Sequence, residues 1–174
     1  MPFLKVMALS PEEGPFSRNS DPTFLITFTG PRASGKTTLA TALAKNERCR
    51  GYLPVVTTRS PRPGEETGSY YEFITEEQFL QNALQGKFVG METTANVYYA
   101  VRKEAVDDAV RRGGMFLAVV GFDIASELKQ HVQGRPGVIG ISLAVTPPPQ
   151  EIWEKWAKKD PTIPGRIESS RPQA

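Results

Sequence analysis

The sequence has one cysteine, almost no net charge and no long apolar run, and each shortage excludes a class of protein. Cys49 is the single cysteine in 174 residues, so no disulfide forms within the chain, which is typical of a reducing compartment. No apolar run approaches the length of a membrane span, and the first residues lack the pattern of a signal peptide. The net charge of +2 is too small to indicate a nucleic-acid-binding surface. We therefore expect a cytoplasmic protein without a nucleic-acid or membrane partner.

The length and composition fit a single globular domain. A chain of 174 residues with 39% hydrophobic residues is long enough for one core and too short for two ordinary domains. Residues 1–21 contain scattered Pro, Gly and Ser, and we expect them to form a mobile extension ahead of a domain at 22–174.

Apolar runs alternate with helical patterns along most of the chain, which predicts an α/β fold. Such alternation favours right-handed βαβ crossovers and a mainly parallel sheet flanked by helices. The stretch at about 59–101 interrupts the alternation and is interpreted as a small inserted lobe. Strands are predicted at 24–29, 53–57, 88–92, 97–101, 115–120 and 138–145, and the last two are expected to be buried strands. Helices are predicted at 37–45, 75–86, 103–112, 123–133 and 151–159, with Thr75 and Gln78 as a capping box and Asp123 as an N-cap.

The strongest motif is Gly30-Pro-Arg-Ala-Ser-Gly-Lys-Thr, a full match to the P-loop pattern between a predicted strand and a predicted helix. Its glycines let backbone N–H groups wrap a phosphate, and the helix N-terminus adds a positive dipole end. Lys36 then reaches the terminal phosphates, and the Thr37 hydroxyl is a ligand for Mg²⁺. The sequence therefore predicts binding of ATP with Mg²⁺. The residues expected to bind the nucleotide are Gly30, Arg32, Ala33, Ser34, Gly35, Lys36, Thr37 and Thr38.

A second motif runs from Thr57 to Tyr71 as TTRSPRPGEETGSYY. Its two arginines, Arg59 and Arg62, stand three residues apart on a proline-rigid loop. They can clamp one phosphate, and a tyrosine hydroxyl can add a further donor. Arginines in such loops usually face solvent, so the spacing alone does not establish a site.

With these motifs the chain resembles the guanylate kinase family from about residue 23 to residue 167. The TTRxPRxGExxGxxY string is far more specific to that family than a P-loop alone. The resemblance implies a P-loop core, an acceptor-binding lobe and a mobile lid. It also implies that four residues hold the phosphate of the acceptor: Arg59, Arg62, Tyr71 and Tyr99, with Tyr98 in place of Tyr99 if one residue is gapped.

The chain departs from the family at the positions that read the guanine base. The matching residues here are Val55, Gly90, Val101, Val119 and Gly121, none of which offers a polar side chain. This predicts weak discrimination in favour of guanine, unless Glu92 or Asn96 supplies recognition from a shifted position. Asp123 could also place a carboxylate near Mg²⁺, although we expect it to be a helix cap.

The lid implied by the resemblance is altered as well. The family carries two arginines there, and this chain offers Lys159 and, after a shortened loop, Arg166, at about 159–167. We expect these two residues, together with Lys36, to be the catalytic cations. The family continues with another helix and strand beyond the position of Ala174, so the sequence leaves open how the sheet is completed and whether turnover is retained.

Three functions fit these features. The first is a kinase that transfers the γ-phosphoryl group of ATP to a small phosphate-bearing acceptor, with GMP or dGMP as the first acceptor to test. The second is a kinase resembling ribose 1,5-bisphosphate phosphokinase, whose acceptor has no base. The third is a non-catalytic module that binds phosphorylated protein segments, although an intact P-loop argues against it. The oligomeric state is not predicted.

Overall fold

The computed structural model describes residues 21–31, 34–62, 65, 70–146 and 149–159. In this part of the chain, strands and helices largely alternate. The strands are β1 (Thr23–Thr29), β2 (Cys49–Tyr52), β3 (Val55–Thr57), β4 (Tyr71–Phe73), β5 (Phe88–Thr94), β6 (Val97–Arg102), β7 (Gly114–Val119) and β8 (Val138–Ala144). The helices are α1 (Lys36–Leu43), α2 (Glu76–Leu84), α3 (Lys103–Arg112), α4 (Phe122–Val132) and α5 (Gln150–Lys159).

A four-stranded sheet in the order β2-β7-β1-β8 forms the centre of the fold. All of its neighbouring strands are parallel, and β1 pairs with β7 on one side and β8 on the other. Helices follow β1 and β7 as crossover connections, as expected for a parallel sheet. The predicted α/β fold with a mainly parallel sheet is confirmed.

A second four-stranded sheet, in the order β4-β3-β6-β5, carries Tyr71 and Tyr99 of the predicted acceptor site on its strands, and Arg59 and Arg62 lie in the loop that follows β3. It is mostly antiparallel, with β3 and β4 as its parallel pair. One face packs on α2 through Val56, Phe79, Phe88 and Ala100. The other face turns toward the central sheet, where Val55 and Val101 join Leu25 of β1 in one buried cluster. A shared core therefore connects the second sheet to the central sheet.

Helix α4 fixes the position of β5 by close backbone packing. Gly90 has a φ of +72°, and a Cβ built on it would lie 2.9 Å from the Cα of Ile124. Since β5 shifts its register between Val89 and Met91, Gly90 is the bulged residue of this strand. A side chain at position 90 would push β5 away from α4.

Most predicted elements appear within a few residues of their expected bounds, including the capping box of Thr75 and Gln78 at the start of α2. Two short strands, β2 and β4, were not predicted. Residues 49–52 alternate small, charged and aromatic side chains, and residues 71–73 are only half-buried, so neither stretch has the apolar run that marks a buried strand.

Two expectations at the carboxyl half of the chain are wrong. Strand β8 is not buried on both faces, because it lies at the edge of the central sheet within the described residues and its last three residues are exposed. Asp123 is not an N-cap, because α4 begins at Phe122 and Gly121 takes the cap position, without a side-chain hydrogen bond. Asp123 instead lies in the first turn of α4, where its negative charge interacts favourably with the positive end of the helix dipole.

The predicted extension at 1–21 falls almost wholly outside the described residues. Within the part of the chain that the structure describes, every helix is too short or too polar to span a bilayer.

Candidate functional site

The loop predicted to bind phosphates lies between the end of β1 and the start of α1. Gly30 and Gly35 have positive φ angles of 136° and 97°, which non-glycine residues rarely adopt. A Cβ on Gly30 would lie 2.3 Å from the carbonyl oxygen of Val145, so this position also has no room for a side chain. The two glycines therefore let the chain turn sharply from the strand into the helix.

The side chains of this loop fit a bound polyphosphate. The ammonium group of Lys36 donates hydrogen bonds to the carbonyl oxygens of Gly30 and Pro31, at 2.8 Å and 2.6 Å. Ser34 Oγ is buried without a hydrogen-bond partner among the described residues. Helix α1 begins without a side-chain cap, so its first N–H groups are directed at the same space. An anion here would meet one lysine, one hydroxyl and the helix N-terminus.

Fewer residues are available to hold Mg²⁺ than to bind the phosphates. Thr37 is exposed at the first turn of α1, where its hydroxyl can ligate a cation that also binds phosphate oxygens. In the described residues no three His, Cys, Asp or Glu side chains lie close enough together to form a metal site. A protein that binds Mg²⁺ mainly through a nucleotide's phosphates does not need such a cluster.

Several predicted site residues lie outside the described part of the chain. These are Arg32 and Ala33 in the phosphate loop and Arg166 in the predicted lid. Lys159 ends α5, and its side chain is not described. Thr38 is exposed on α1.

Arg59 lies on an aromatic floor formed by strand β4. The centre of its guanidinium group is 4.5 Å from the ring centroid of Tyr71 and 5.2 Å from that of Phe73. Its backbone N–H donates to Thr57 Oγ1, which fixes the start of the loop. Tyr71 packs at the edge of the main hydrophobic cluster, so the floor is anchored in the core.

Glu65 holds Arg59 in this position. The guanidinium group donates to both carboxylate oxygens, at 2.6 Å from Nη1 and 3.0 Å from Nη2. The backbone N–H of Arg62 also donates to Glu65, at 2.9 Å. The hydrogen bonds from Arg59 lower the pKa of Glu65. Burial is the largest single influence on Arg59 and opposes its charge, but the hydrogen bonds and charge of Glu65, together with Tyr71, outweigh burial and raise the pKa of the arginine. The sequence motif contains Glu65, yet the sequence reasoning gave it no role.

The two candidate tyrosines of β6 point in opposite directions. Tyr99 packs against the same cluster as Tyr71 and faces the central sheet. Tyr98 stacks on Phe79 of α2, with ring centroids 5.2 Å apart, and is therefore turned away. Tyr99 is thus the β6 tyrosine on the face that carries Arg59. Arg62 is exposed on the loop beside them.

The positions expected to read a base are mostly closed by packing. Val55 and Val101 are 3% and 0% exposed, within the hydrophobic core. Gly90 is covered by α4, and Val119 is half-buried at the end of β7. Asn96, one of the two alternatives, lies exposed in the turn between β5 and β6 with a φ of 60°.

Glu92, the other alternative, occupies the space beside Gly121. Its Oε1 accepts a hydrogen bond of 3.1 Å from the backbone N–H of Gly121. A Cβ built on Gly121 would lie 1.8 Å from Glu92 Oε2. Burial raises the pKa of Glu92, the Gly121 N–H partly offsets this, and the nearby charge of Asp123 raises it further. A carboxylate therefore stands at the end of β7, although β7 itself supplies none there.

Three hydroxyl groups connect helix α1, which follows the phosphate loop, to the loop between β3 and β4. Tyr70 OH donates to Tyr52 OH at 3.2 Å and lies 3.3 Å from Thr41 Oγ1 on α1. The two tyrosine rings are 4.1 Å apart between centroids. Burial and the bond from Tyr70 raise the pKa of Tyr52 to about 12. This contact was not predicted, because it joins α1, β2 and the loop before β4, which no local sequence pattern relates.

This chain is similar to known proteins over most of its described residues. The family model described as guanylate kinase matches residues 23–147. A guanylate kinase from Trichormus variabilis is 31% identical over 131 residues, which are 75% of this chain and 63% of that protein. One from Wolinella succinogenes is 29% identical over 127 residues, which are 73% of this chain and 57% of that protein. The chain thus spans about three-fifths of the length of these curated relatives.

A solved structure supports the same relationship at the level of the fold. The crystal structure of guanylate kinase from Anaplasma phagocytophilum superposes with a TM-score of 0.62 at 22% identity, covering 87% of this chain and 70% of that one. The structural match and the family model over residues 23–147 lead to one conclusion. The chain belongs to the guanylate kinase family.

Proposed function

We propose that the chain is an ATP-dependent phosphotransferase, which passes the γ-phosphoryl group of ATP to a small acceptor that already bears a phosphate. The proposal rests on the presence, in one fold, of two regions that each suit a phosphate. The P-loop between β1 and α1 suits the triphosphate, and the Arg59–Tyr71 cluster on the second sheet suits the acceptor. The Tyr70–Thr41 contact ties the loop of the second site to the helix of the first.

The chemistry needs positioning and charge neutralisation more than a protein nucleophile. Lys36 would neutralise the terminal phosphates of ATP, because it lies at the loop on a helix N-terminus. Mg²⁺ bound with the nucleotide, and ligated by Thr37, would neutralise further charge. Arg59, Arg62, Tyr71 and Tyr99 would hold the acceptor, with Glu65 fixing the angle of the Arg59 fork. Lys159 and Arg166 are the proposed lid cations.

The acceptor is proposed to be GMP, dGMP or another nucleoside monophosphate. Glu65 takes the edge of the Arg59 guanidinium group formed by Nη1 and Nη2, so a small phosphate ester would bind the remaining N–H groups of Arg59 together with Arg62. Neither a nucleic acid nor a membrane is proposed as a partner, and the cytoplasm is the proposed compartment.

A base-free acceptor such as ribose 1,5-bisphosphate is a second candidate. It is favoured by the burial of Val55 and Val101, which removes two positions from contact with any ligand. A non-catalytic binding module is a weaker alternative, since such a module does not need Lys36 and Thr37 in their loop.

An ATP-coupled phosphoryl-transfer screen tests the proposal. The acceptors are GMP, dGMP, AMP, dTMP and ribose 1,5-bisphosphate, with a reaction lacking acceptor as the control. We expect acceptor-dependent ADP formation with at least one of the nucleotides. ATP binding without transfer to any acceptor would reject the enzyme and favour the binding module.

A further inference from the structure

The hydroxyl groups of Tyr70, Tyr52 and Thr41 form a bridge between the loop that follows β3 and helix α1. Tyr70 OH donates to Tyr52 OH at 3.2 Å and lies 3.3 Å from Thr41 Oγ1. Since a phenol carries a single proton, Thr41 is the donor of the second bond. Thr41 follows Lys36 by five positions, which is about 7.5 Å along the helix axis. The hydroxyl bridge therefore meets α1 within two turns of the phosphate loop.

Tyr52 anchors one end of the hydroxyl bridge in the core beneath α1. It packs against a buried cluster that joins α1 to β1 and β7, made up of Ile26, Phe28, Ala40, Met115 and Leu117. The ring of Tyr70 lies on that of Tyr52, with centroids 4.1 Å apart and planes tilted by 48°. The end of the loop between β3 and β4 is therefore held against the central part of the fold.

Tyr70 is also fixed to the second sheet through its backbone. Its carbonyl oxygen accepts the N–H of Val55 at 2.9 Å, at the start of β3. The next residue, Tyr71, lies in β4 with its ring 4.5 Å from the guanidinium group of Arg59. Because the two tyrosines are adjacent in the chain, a restraint on Tyr70 also restrains the aromatic floor under Arg59. The hydroxyl bridge thus connects the two regions that each suit a phosphate.

The motifs of the sequence give these three residues no role. Tyr70 falls on an unspecified position of the TTRxPRxGExxGxxY string, and Thr41 and Tyr52 lie outside both motifs. Phenylalanine at 52 or 70 and valine at 41 would keep the same packing without the hydroxyl groups. Since a hydrogen bond adds little net stability at a partly exposed site, the main effect of the hydroxyl groups is to fix the geometry between the elements that they join.

Transfer of a phosphoryl group depends on such geometry. The attacking and leaving oxygens must lie roughly in line through the transferred phosphorus, and a misplacement of about 1 Å can cost about a hundredfold in rate. Each ligand can bind through the residues of its own site. Alignment of the two ligands additionally requires a fixed distance between the sites, and the hydroxyl bridge spans that distance.

We propose that Tyr70 is a positioning residue for phosphoryl transfer, whose hydroxyl group fixes the loop between β3 and β4 against α1 and so aligns the acceptor with the γ-phosphate of ATP. The inference rests on the proposed function and deepens it, because it assigns the alignment of the two ligands to a residue outside both phosphate sites. Tyr70 acts on kcat and not on the binding of either ligand.

Steady-state kinetics of Tyr70→Phe test the proposal. The substrates are ATP–Mg²⁺ and whichever acceptor wild type phosphorylates fastest among GMP, dGMP, AMP, dTMP and ribose 1,5-bisphosphate. The substitution keeps the ring on Tyr52 and removes both hydroxyl contacts. We expect kcat to fall about tenfold through misalignment, with the KM values for ATP and for the acceptor almost unchanged. The melting temperature of the variant shows whether it folds.

Variants at Thr41 separate the hydroxyl bridge from a general loss of stability. Thr41→Val should lower kcat, whereas Thr41→Ser keeps a hydroxyl group and should retain the wild-type kcat. Because Tyr70→Phe already removes the shared contact, Tyr70→Phe/Thr41→Val should be no slower than Tyr70→Phe. Thr94→Val removes the hydroxyl group of an exposed residue of β5, and as the matched control it should leave kcat unchanged.

Three results would overturn the proposal. A wild-type kcat in folded Tyr70→Phe, even with a lower melting temperature, would leave Tyr70 a structural role only. A raised acceptor KM at constant kcat would place Tyr70 in acceptor binding instead. Additive losses in the double variant would show that Tyr70 and Thr41 act separately. By contrast, a wild-type protein that transfers phosphate to none of the acceptors would reject the proposed kinase, and the positioning role with it, before any variant is compared.

Discussion

The guanidinium group of Arg59 and the carboxylate of Glu65 form a two-pronged ion pair, with N–O distances of 2.6 Å and 3.0 Å. The arginine side chain is 13% exposed and that of the glutamate is 29% exposed. An arginine held in this way loses little further rotamer entropy when its remaining N–H groups bind a phosphate. We therefore propose that Glu65 is a positioning residue for the proposed acceptor site.

Glu65→Gln should raise the KM for the acceptor severalfold and change kcat less, because Arg59 loses its charged partner but remains present. The ATP affinity should not change, since the pair lies in the loop between β3 and β4 and not in the phosphate loop. Steady-state kinetics with the acceptor found by the screen provide the measurement. If kcat fell while the acceptor KM stayed constant, Glu65 would act in the chemical step and not in positioning.

Arg59→Ala and Arg62→Ala should weaken acceptor binding and spare ATP binding. Each removes one charged donor to the acceptor's phosphate, worth roughly 1.5–3 kcal/mol, or about tenfold or more in affinity. Calorimetry with ATP and with the acceptor separates the two sites. Loss of ATP binding in either folded variant would contradict the assignment of these arginines to the second ligand.

Lys36→Ala should weaken ATP binding about tenfold or more, because it removes a charge-assisted contact from the phosphate loop. Lys45→Ala is the matched control, as Lys45 is exposed beyond the C-terminal end of α1. Equal ATP affinities of wild type and Lys36→Ala would reject the P-loop as the nucleotide site.

Glu92→Gln should melt at a higher temperature than wild type at neutral pH. Burial and Asp123 raise the pKa of Glu92 in the folded protein, so the folded state binds its proton more tightly than the unfolded state does. Ionisation of Glu92 therefore lowers the free energy of unfolding, and this loss is complete above the raised pKa.

The difference in melting temperature between Glu92→Gln and wild type should consequently shrink as the pH falls through the raised pKa of Glu92 and through the ordinary carboxyl range. Thermal melts from neutral to acidic pH measure it, with Glu47→Gln as the reference. A variant that is less stable than wild type at neutral pH would indicate that Glu92 has a structural role.

Discrimination in favour of GMP should stay below a thousandfold in kcat/KM. Val55 and Val101 are buried and Gly90 is packed against α4, so these positions offer a base no polar side chain, and we expect recognition of the base to depend on a single group such as the Glu92 carboxylate. One hydrogen-bonded group contributes about 1–3 kcal/mol, far less than a site that pairs every polar group of a base. Steady-state kinetics with GMP, AMP, dTMP and ribose 1,5-bisphosphate at one ATP concentration provide the comparison.

Local sequence determined the parts of this protein that depend on neighbouring residues. The glycines and Lys36 of the phosphate loop, the capping box at Thr75 and the helix over 103–112 could be predicted, because turn geometry, capping and helix periodicity act over a few residues. The family relationship followed from two contiguous motifs for the same reason.

Only the tertiary structure decided what depends on residues far apart in the chain. Strand β4 forms by pairing with β3, without an apolar run of its own. The sequence favoured Tyr99 and left Tyr98 as an alternative, and only the sheet placed the two tyrosines on opposite faces. The carboxylate of Glu92 meets Gly121 across 29 positions, because α4 and β5 pack closely at Gly90. Packing sets such distances, and no local propensity encodes them.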